Sequence, residues 1–525
     1  MIDKIKRYLG FAPRNEKNVL VINHEKLETR VAYIEDGSLE EYNVERNTSR
    51  NIVGGIYKGR VKNIEPGLKA MFVDIGFEKN AFLHFWDAIP AALDSGVEAV
   101  NRGKGGKKKR QISSKDIPNI YPVGSDVMVQ VTKGPIGNKG PRVTTNLSLA
   151  GRFLVFMPRN DQSGISRKID DPKERERLRD ILHRLELPDG SGVIMRTVGM
   201  DQRYRYFVRD LYLLLEQWKT IETLYNENRA PYRLFEEPDL IERTVRDFLT
   251  DEVDAVYCDD LAAVQRMKDL SQQISKRAHR RVYHFAENTP IFERFGLEKV
   301  LRDAFHRQVW LPCGGYIVID ETEALVAVDV NTGRNKGGKD VDKTLLQTNL
   351  EAADEIARQL RLRNIGGLIV ADFIDMKPRR DQQAVYNRLR ERLKKDKAKT
   401  HVLPISALGI LEMTRQRAAE SLSDSMFQTC PHCQGRGIIK TPMSMSVEVQ
   451  RHLNHIMRKH QDNVHEFRVT IHPDVLQRLR TEDEELLVEL ERKYEGRLTF
   501  RSDPTVSIEK FTICDAVNGQ ELDAV

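Results

Sequence analysis

The chain has 525 residues with a formal net charge of +6, and 40% of them are hydrophobic against 31% charged. A single core seldom grows past roughly 250 to 300 residues, so this length predicts roughly three to five domains. No run approaches the roughly 18 apolar residues of a membrane span, the start Met1 to Leu9 has no apolar signal segment, and five cysteines are too few for a disulfide framework, so a soluble cytoplasmic protein is expected.

Val19 to Ile22, Arg30 to Ile34 and Glu40 to Val44 read as short strands, with Asp36-Gly37 favouring a tight hairpin between the last two. A second β pattern runs through Ile56 to Val61, Ala70 to Gly76 and Ala81 to Leu83, and resumes at Val127 to Val131. Short strands interleaved with Gly, Lys and aromatics predict a small OB-type barrel, a fold that stacks bases on aromatic rings and tracks phosphates with lysine. Phe72 and Phe82 are the stacking candidates, Lys133 and Lys139 the backbone candidates. The competing reading puts both phenylalanines in the barrel core. Inside this pattern Asn101 to Lys115 is lysine- and glycine-rich and cannot bury a core. It is either a solvated tip or a non-specific RNA arm that acts by counterion release.

From Asp171 to Leu185 and from Tyr206 to Tyr225 the apolar period is helical, with a strand-like Gly192 to Thr197 between, which predicts a mixed α/β module. Ile241 to Ala255 and Leu261 to Ser275 are amphipathic, and Arg277 to Phe285 reads as a strand. A hairpin over Gly315 to Asn331, a helix over Asp342 to Arg363 and a strand over Ile365 to Ile374 then make a parallel crossover unit, whose strand ends are where α/β folds place their sites.

Two strands of this unit carry an aspartate where a buried strand should be apolar: Asp329 after Leu325 to Val328, and Asp372 after Leu368 to Ala371. An unpaired carboxylate in an apolar strand costs several kcal/mol, so a divalent cation is one way to justify the pair. Strand alternation puts Asn331 on the face of Asp329. This oxygen-only set suits Mg2+ and not zinc, and points to metal-assisted phosphoryl chemistry. The alternative is that each aspartate caps a strand or pairs with an arginine.

Cys430-Pro431-His432-Cys433 has the spacing that lets both thiolates reach one metal. A closed zinc site wants four ligands and the chain has no second such pair, so two chains sharing one zinc through Cys430 and Cys433 is the economical solution. A redox pair and a site completed by His432 remain the alternatives, and Cys258, Cys313 and Cys514 read as ordinary buried thiols.

Asp329-Val330-Asn331, Ala371 to Met376, Gly137-Asn138-Lys139-Gly140, Arg196-Thr197 and Cys430 to Cys433 together resemble the motifs of the ribonuclease E/G endoribonucleases, over about Asn18 to Ala516. The resemblance implies a multidomain α/β and α+β protein. Its parts would be an RNase H-like domain in two pieces (1–50 and 242–304) and an OB-fold RNA-binding domain (51–145) with its basic insertion at 101–115. A 5'-monophosphate sensor (146–241), a DNase I-like catalytic domain (305–426), a zinc link (427–440) and a small C-terminal α/β domain (441–525) would follow. It further implies Asp329 and Asp372 as magnesium ligands, Asn331 as their support, and Arg196, Thr197, Gly151 and Val155 as the 5'-phosphate sensor. Phe72, Phe82, Lys133 and Lys139 fall on its RNA contacts, and Cys430 and Cys433 on a zinc shared in a homodimer or homotetramer.

Two features depart from the family pattern. The insertion at 101–115 is longer than expected, and the chain stops at Val525 without a long tail. The short form of the family is therefore expected, without a degradosome scaffold or membrane-anchoring helix. The implied activity is Mg2+-dependent cleavage of single-stranded, A/U-rich RNA to 3'-hydroxyl and 5'-phosphate ends, in ribosomal and transfer RNA processing and messenger decay. The rivals are a non-catalytic RNA-binding or ribosome-assembly factor and a phosphoesterase acting on DNA.

Overall fold

The computed structural model of the chain describes residues 16–46, 52–90, 93, 96–100, 116–135, 139–249, 252–274, 276–334, 341–416, 421–422 and 426–524. The basic insertion and Gly137-Asn138 lie outside these residues. The architecture is mixed α/β in two compact units, Met1–Ser423 and Asp424–Val525. Among the described residues no helix is long and apolar enough to cross a membrane.

In the first unit, Asn18–His24, Glu28–Glu35 and Ser38–Arg46 form an antiparallel meander, and Ala255–Cys258 and Val282–His284 extend it in parallel beside Asn18–His24. The central strand is apolar without alternation because both its faces are covered. Leu20 and Ile22 pack with Ile241, Val245 and Val264 on one side, while Val19 and Val21 pack with Phe292, Leu297 and Leu301 on the other. Of the amphipathic stretch Ile241 to Ala255, the helix ends at Phe248, and Ala255 opens a strand.

Ile56–Glu65, Ala70–Asp74, Ala81–His84, Arg142–Thr144 and Asp126–Lys133 close into a five-stranded OB-like barrel, the last strand pairing back onto the first. Two strands cross the expected borders of this barrel. Val97–Val100, from within 51–145, is the edge of the next sheet, and Tyr232–Phe235, from within 146–241, pairs with the barrel strand Ile56–Glu65. That next sheet, with Leu154–Met157 and Gly192–Met195 at its middle, shares one core with the helices Pro172–Arg184 and Tyr204–Glu227. Lys168 ties this module to the rest of the unit by donating to the carbonyl of Lys397 at 2.9 Å.

The remaining sheet of this unit has the order Gln308–Trp310, Tyr316–Glu321, Val326–Asn331, Gly367–Asp372, Ile410–Arg415, Thr400–Val402. The helix Val341–Leu362 connects the two middle strands, which run parallel. It packs with Arg379–Leu393 on one face of the sheet, against Val326, Val328, Val330, Ile369 and Ala371. Each of these valine and isoleucine side chains contributes roughly 1.5–3 kcal/mol on burial. A slip of one residue would exchange the three valines for Ala327, Asp329 and Asn331, so the register is firmly set.

The second unit holds a four-stranded sheet in the order Arg497–Ser502, Glu466–Ile471, Phe511–Asp515, Glu521–Ala524, covered by Pro442–His460, Pro473–Thr481 and Glu484–Tyr494. The cysteine pair lies in a turn ahead of Pro442–His460.

Candidate active site

Asp329 and Asp372 occupy directly opposed positions on the two parallel middle strands. Val328, Val330 and Ala371 face the helices, so the same alternation turns both carboxylates to the open face, and both are exposed. This corrects the expectation of two carboxylates sunk in apolar strands. Burial does not demand a partner here; the register brings the charges together. Neighbouring strands lie roughly 4.8 Å apart, a span one cation can bridge. Among the described residues neither aspartate is ion-paired, so the arginine alternative has no partner to offer.

Asn331, on the same face, donates from Nδ2 to Asp329 Oδ2 at 2.7 Å and fixes that carboxylate. The three residues line a cleft of about 310 Å³ with Thr332, Phe373, Ile374 and Asp375. Its donors are all oxygen, and among the described residues no cation pairs with either aspartate, which fits a hard divalent ion held partly by water and phosphate. Among the described residues no cluster of three or more His, Cys, Asp or Glu side chains could hold a metal alone.

The strand end beyond Asp372 is held by a residue the sequence reading missed. Asn349, fully buried on the helix Val341–Leu362, donates to the carbonyl of Ile374 at 2.8 Å and accepts from its N–H at 3.1 Å. Its signal in the sequence is a lone amide on the apolar helix face bearing Leu346, Leu350 and Ala353.

On the barrel, Phe72 and Phe82 point outward between the buried pairs Met71 and Val73, and Ala81 and Leu83. The reading that placed them in the barrel core does not hold. They stand opposite each other with ring centroids 5.9 Å apart, edge to face. Phe82 is in turn opposite Arg142, and Arg142 opposite Lys133, so two rings and two cations form one row across four strands. Arg142 was not singled out from the sequence; its proximity to Phe82 is created by strand pairing. Lys139 is exposed at the start of the same segment, beside Gly140, where a Cβ would meet the Asn80 carbonyl at 2.1 Å.

Arg196 ends the strand Gly192–Met195, and Thr197 opens the short turn Thr197–Gly199. The Arg196 guanidinium donates to the Gly151 carbonyl at 2.5 Å and to Asp247 at 2.7 Å. Val155 lies on the adjacent strand, opposite Ile194. The loop leading into that strand is shaped by Asp210, a buried carboxylate accepting from the backbone N–H groups of Arg152, Phe153 and Leu154. Burial raises the Asp210 carboxyl above its ordinary range, against the pull of these three donors.

Cys430 is exposed and Cys433 partly so. The backbone N–H groups of Gly437 and Gly435, with the Cys430 side chain behind them, lower the Cys433 thiol below its usual range. Gln434, Gly435 and Gly437 take positive φ of 51°, 84° and 72°, which wraps the chain round the sulfurs. Two sulfurs held in one such turn could serve a single metal together. Glu509 anchors it by accepting from the Lys440 N–H at 2.8 Å and from Arg436. No strand leads into the pair among the described residues, unlike a redox motif at a strand-to-helix turn, and His432 does not cluster with the two cysteines.

A model of the ribonuclease E/G family matches residues 148–418, and a model of the RNase E/G thioredoxin-like domain matches 429–516. The chain is 37% identical over 494 residues to Ribonuclease G of Escherichia coli K12, covering 94% of this chain and 99% of that protein. It is 34% identical over 495 residues to Ribonuclease G of Haemophilus influenzae, covering 94% and 98%. To Ribonuclease E of Escherichia coli K12 it is 38% identical over 440 residues, which are 83% of this chain and 40% of that protein. Identity of this order, sustained over almost the full length of ribonuclease G proteins, means that the chain belongs to the ribonuclease E/G family.

Proposed function

We propose that this protein is a Mg2+-dependent endoribonuclease of the short, ribonuclease G-like form, cutting single-stranded, A/U-rich RNA with a preference for 5'-monophosphorylated ends. That it is an endoribonuclease acting in RNA processing follows from its membership of a family whose relatives carry that name along almost its whole length. The observation that carries the chemistry is the opposition of Asp329 and Asp372 on an open sheet face. When bound there, Mg2+ supplies charge neutralisation at the phosphate and a more acidic attacking water. Asp329 and Asp372 hold the ion, and Asn331 fixes the orientation of Asp329.

In this reading the sheet with the aspartates is the DNase I-like domain, the meander with its parallel strands the RNase H-like domain, and the module with Arg196 the 5' sensor. The outward row Phe72, Phe82, Arg142 and Lys133, with Lys139 nearby, grips unpaired bases and backbone, a sequence-tolerant mode suited to unstructured RNA. Arg196 and Thr197 receive the terminal phosphate, with Gly151 and Val155 shaping the pocket. Cys430 and Cys433 share one zinc with a second chain, giving a homodimer or homotetramer that works in the cytoplasm on ribosomal, transfer and messenger RNA.

The test is purified protein with a 5'-monophosphorylated single-stranded RNA, with and without Mg2+, beside Asp372→Asn. Internal cuts with 5'-phosphate products that require both Mg2+ and Asp372 support the reading. Binding without cutting would favour the non-catalytic alternative.

A further inference from the structure

The open face of the catalytic sheet carries more than the two carboxylates. In the edge strand Gln308–Trp310 only Val309 turns toward the helix-covered core, while Trp310 faces the other way and is 53% exposed. Trp310 stands directly opposite Tyr316, and Tyr316 directly opposite Asn331. The two rings meet edge to face at 5.4 Å, and the Arg334 guanidinium lies 5.4 Å from the indole centroid. A lone exposed ring needs no explanation. Two rings in register with the amide that fixes Asp329, with a cation against the outer ring, do.

We propose that Trp310 and Tyr316, with Arg334, form a base-stacking subsite for the nucleotide next to the scissile phosphate. The inference rests on the reading of Asp329 and Asp372 as an RNA-cleaving pair. Tyr316 is roughly one strand spacing from Asn331 and Trp310 roughly two, a span that the ribose and base of one nucleotide bridge. A metal held by the two carboxylates would engage the phosphate but offers nothing to a base, so a grip on the adjoining nucleotide has to come from side chains close by. The indole and phenol faces supply it to any base, and Arg334 supplies a cation for the flanking phosphate. Because Trp310 faces away from the core, its truncation leaves no cavity, which separates this role from a packing role.

The experiment uses a 5'-monophosphorylated single-stranded RNA with one cleavage site, in copies that each lack one base near the cut bond. Stacking on an aromatic side chain converts to roughly 5- to 150-fold in rate. One abasic position should therefore slow the wild-type protein by that order. Trp310→Ala should slow cleavage of the intact RNA by a similar factor and be indifferent to that same abasic position, while Trp310→Phe keeps most of the rate. Losses that multiply when the variant meets the abasic RNA, or a Trp310→Ala protein as fast as wild type, would overturn the subsite. The same series read as binding without Mg2+ keeps the two readings apart. A protein that cuts no RNA yet shows the non-multiplying loss in affinity retains the subsite and refutes the nuclease.

Discussion

Arg196 is not a free cation: Asp247 holds its guanidinium at 2.7 Å, and the same carboxylate takes Arg246 at 3.0 Å. Burial alone would raise the Asp247 carboxyl, but the two arginines outweigh it and keep it below its usual range. Asp247 thus fixes the orientation of the fork, and in the proposed reading the fork would meet a terminal phosphate already aligned. Arg196→Ala should narrow the rate advantage of a 5' monophosphate over a 5' hydroxyl without abolishing cleavage, measured on matched RNAs; an unchanged preference would remove the sensor assignment. The pH dependence has a definite sign. A carboxyl whose folded-state pKa is depressed contributes stability above the ordinary carboxylate range and loses it as pH falls through the folded value. Acid unfolding of Asp247→Asn, followed by circular dichroism, should accordingly show a shallower loss of stability below about pH 4 than wild type.

If Asp329 and Asp372 serve the metal and not the grip on RNA, as proposed, Asp329→Asn and Asp372→Asn should each reduce cleavage by several orders of magnitude while RNA binding stays within a few-fold. Parallel gel-based cleavage and anisotropy titrations check this. Comparable turnover by either variant would take that residue out of the chemistry.

Asn349→Ala should destabilise the protein by about 1–3 kcal/mol, the cost of leaving the Ile374 N–H and carbonyl without partners. Since that clamp also fixes the strand end beside Asp372, kcat should fall more than RNA affinity. Urea melts and steady-state kinetics on the same preparation decide it, and a variant with unchanged kcat would reduce Asn349 to a packing role.

Much of the catalytic sheet was legible because its signals are local. A hairpin, a helix with apolar side chains at helical spacing and an apolar strand spell a parallel crossover, and the two aspartates stand out against valine and isoleucine. What periodicity could not give was depth. Asp329 sits between buried valines and looks buried in the sequence, yet the face it shares with Asn331 is uncovered. Contacts made by strand pairing were equally hidden. Phe82 meets Arg142 across 60 residues of chain, and Trp310 reaches the Asn331 row only through Tyr316. The exchange of Val97–Val100 and Tyr232–Phe235 between neighbouring modules means that the barrel and the sheet after it cannot be cut apart at one point in the chain.

Metal analysis should find about half a zinc per chain, because each chain offers two cysteine ligands and a closed site takes four. Cys430→Ser with Cys433→Ser, or a strong chelator, should lower the assembly state in analytical ultracentrifugation. One zinc per chain in a stable monomer would defeat the shared site.

The facing aspartates also set a thermodynamic tension in the metal-free protein. Like charges directly opposite on neighbouring strands repel, and here no cation among the described residues relieves them. The facing charges are therefore expected to cost the metal-free fold a little stability that a bound cation would restore. Asp372→Asn, inactive as an enzyme, should melt slightly higher than wild type in EDTA. Added Mg2+ should raise the Tm of wild type and leave that of the variant nearly unmoved. In the proposed reading, the opposition of charges that would receive the metal is also what the resting molecule gains by losing in Asp372→Asn.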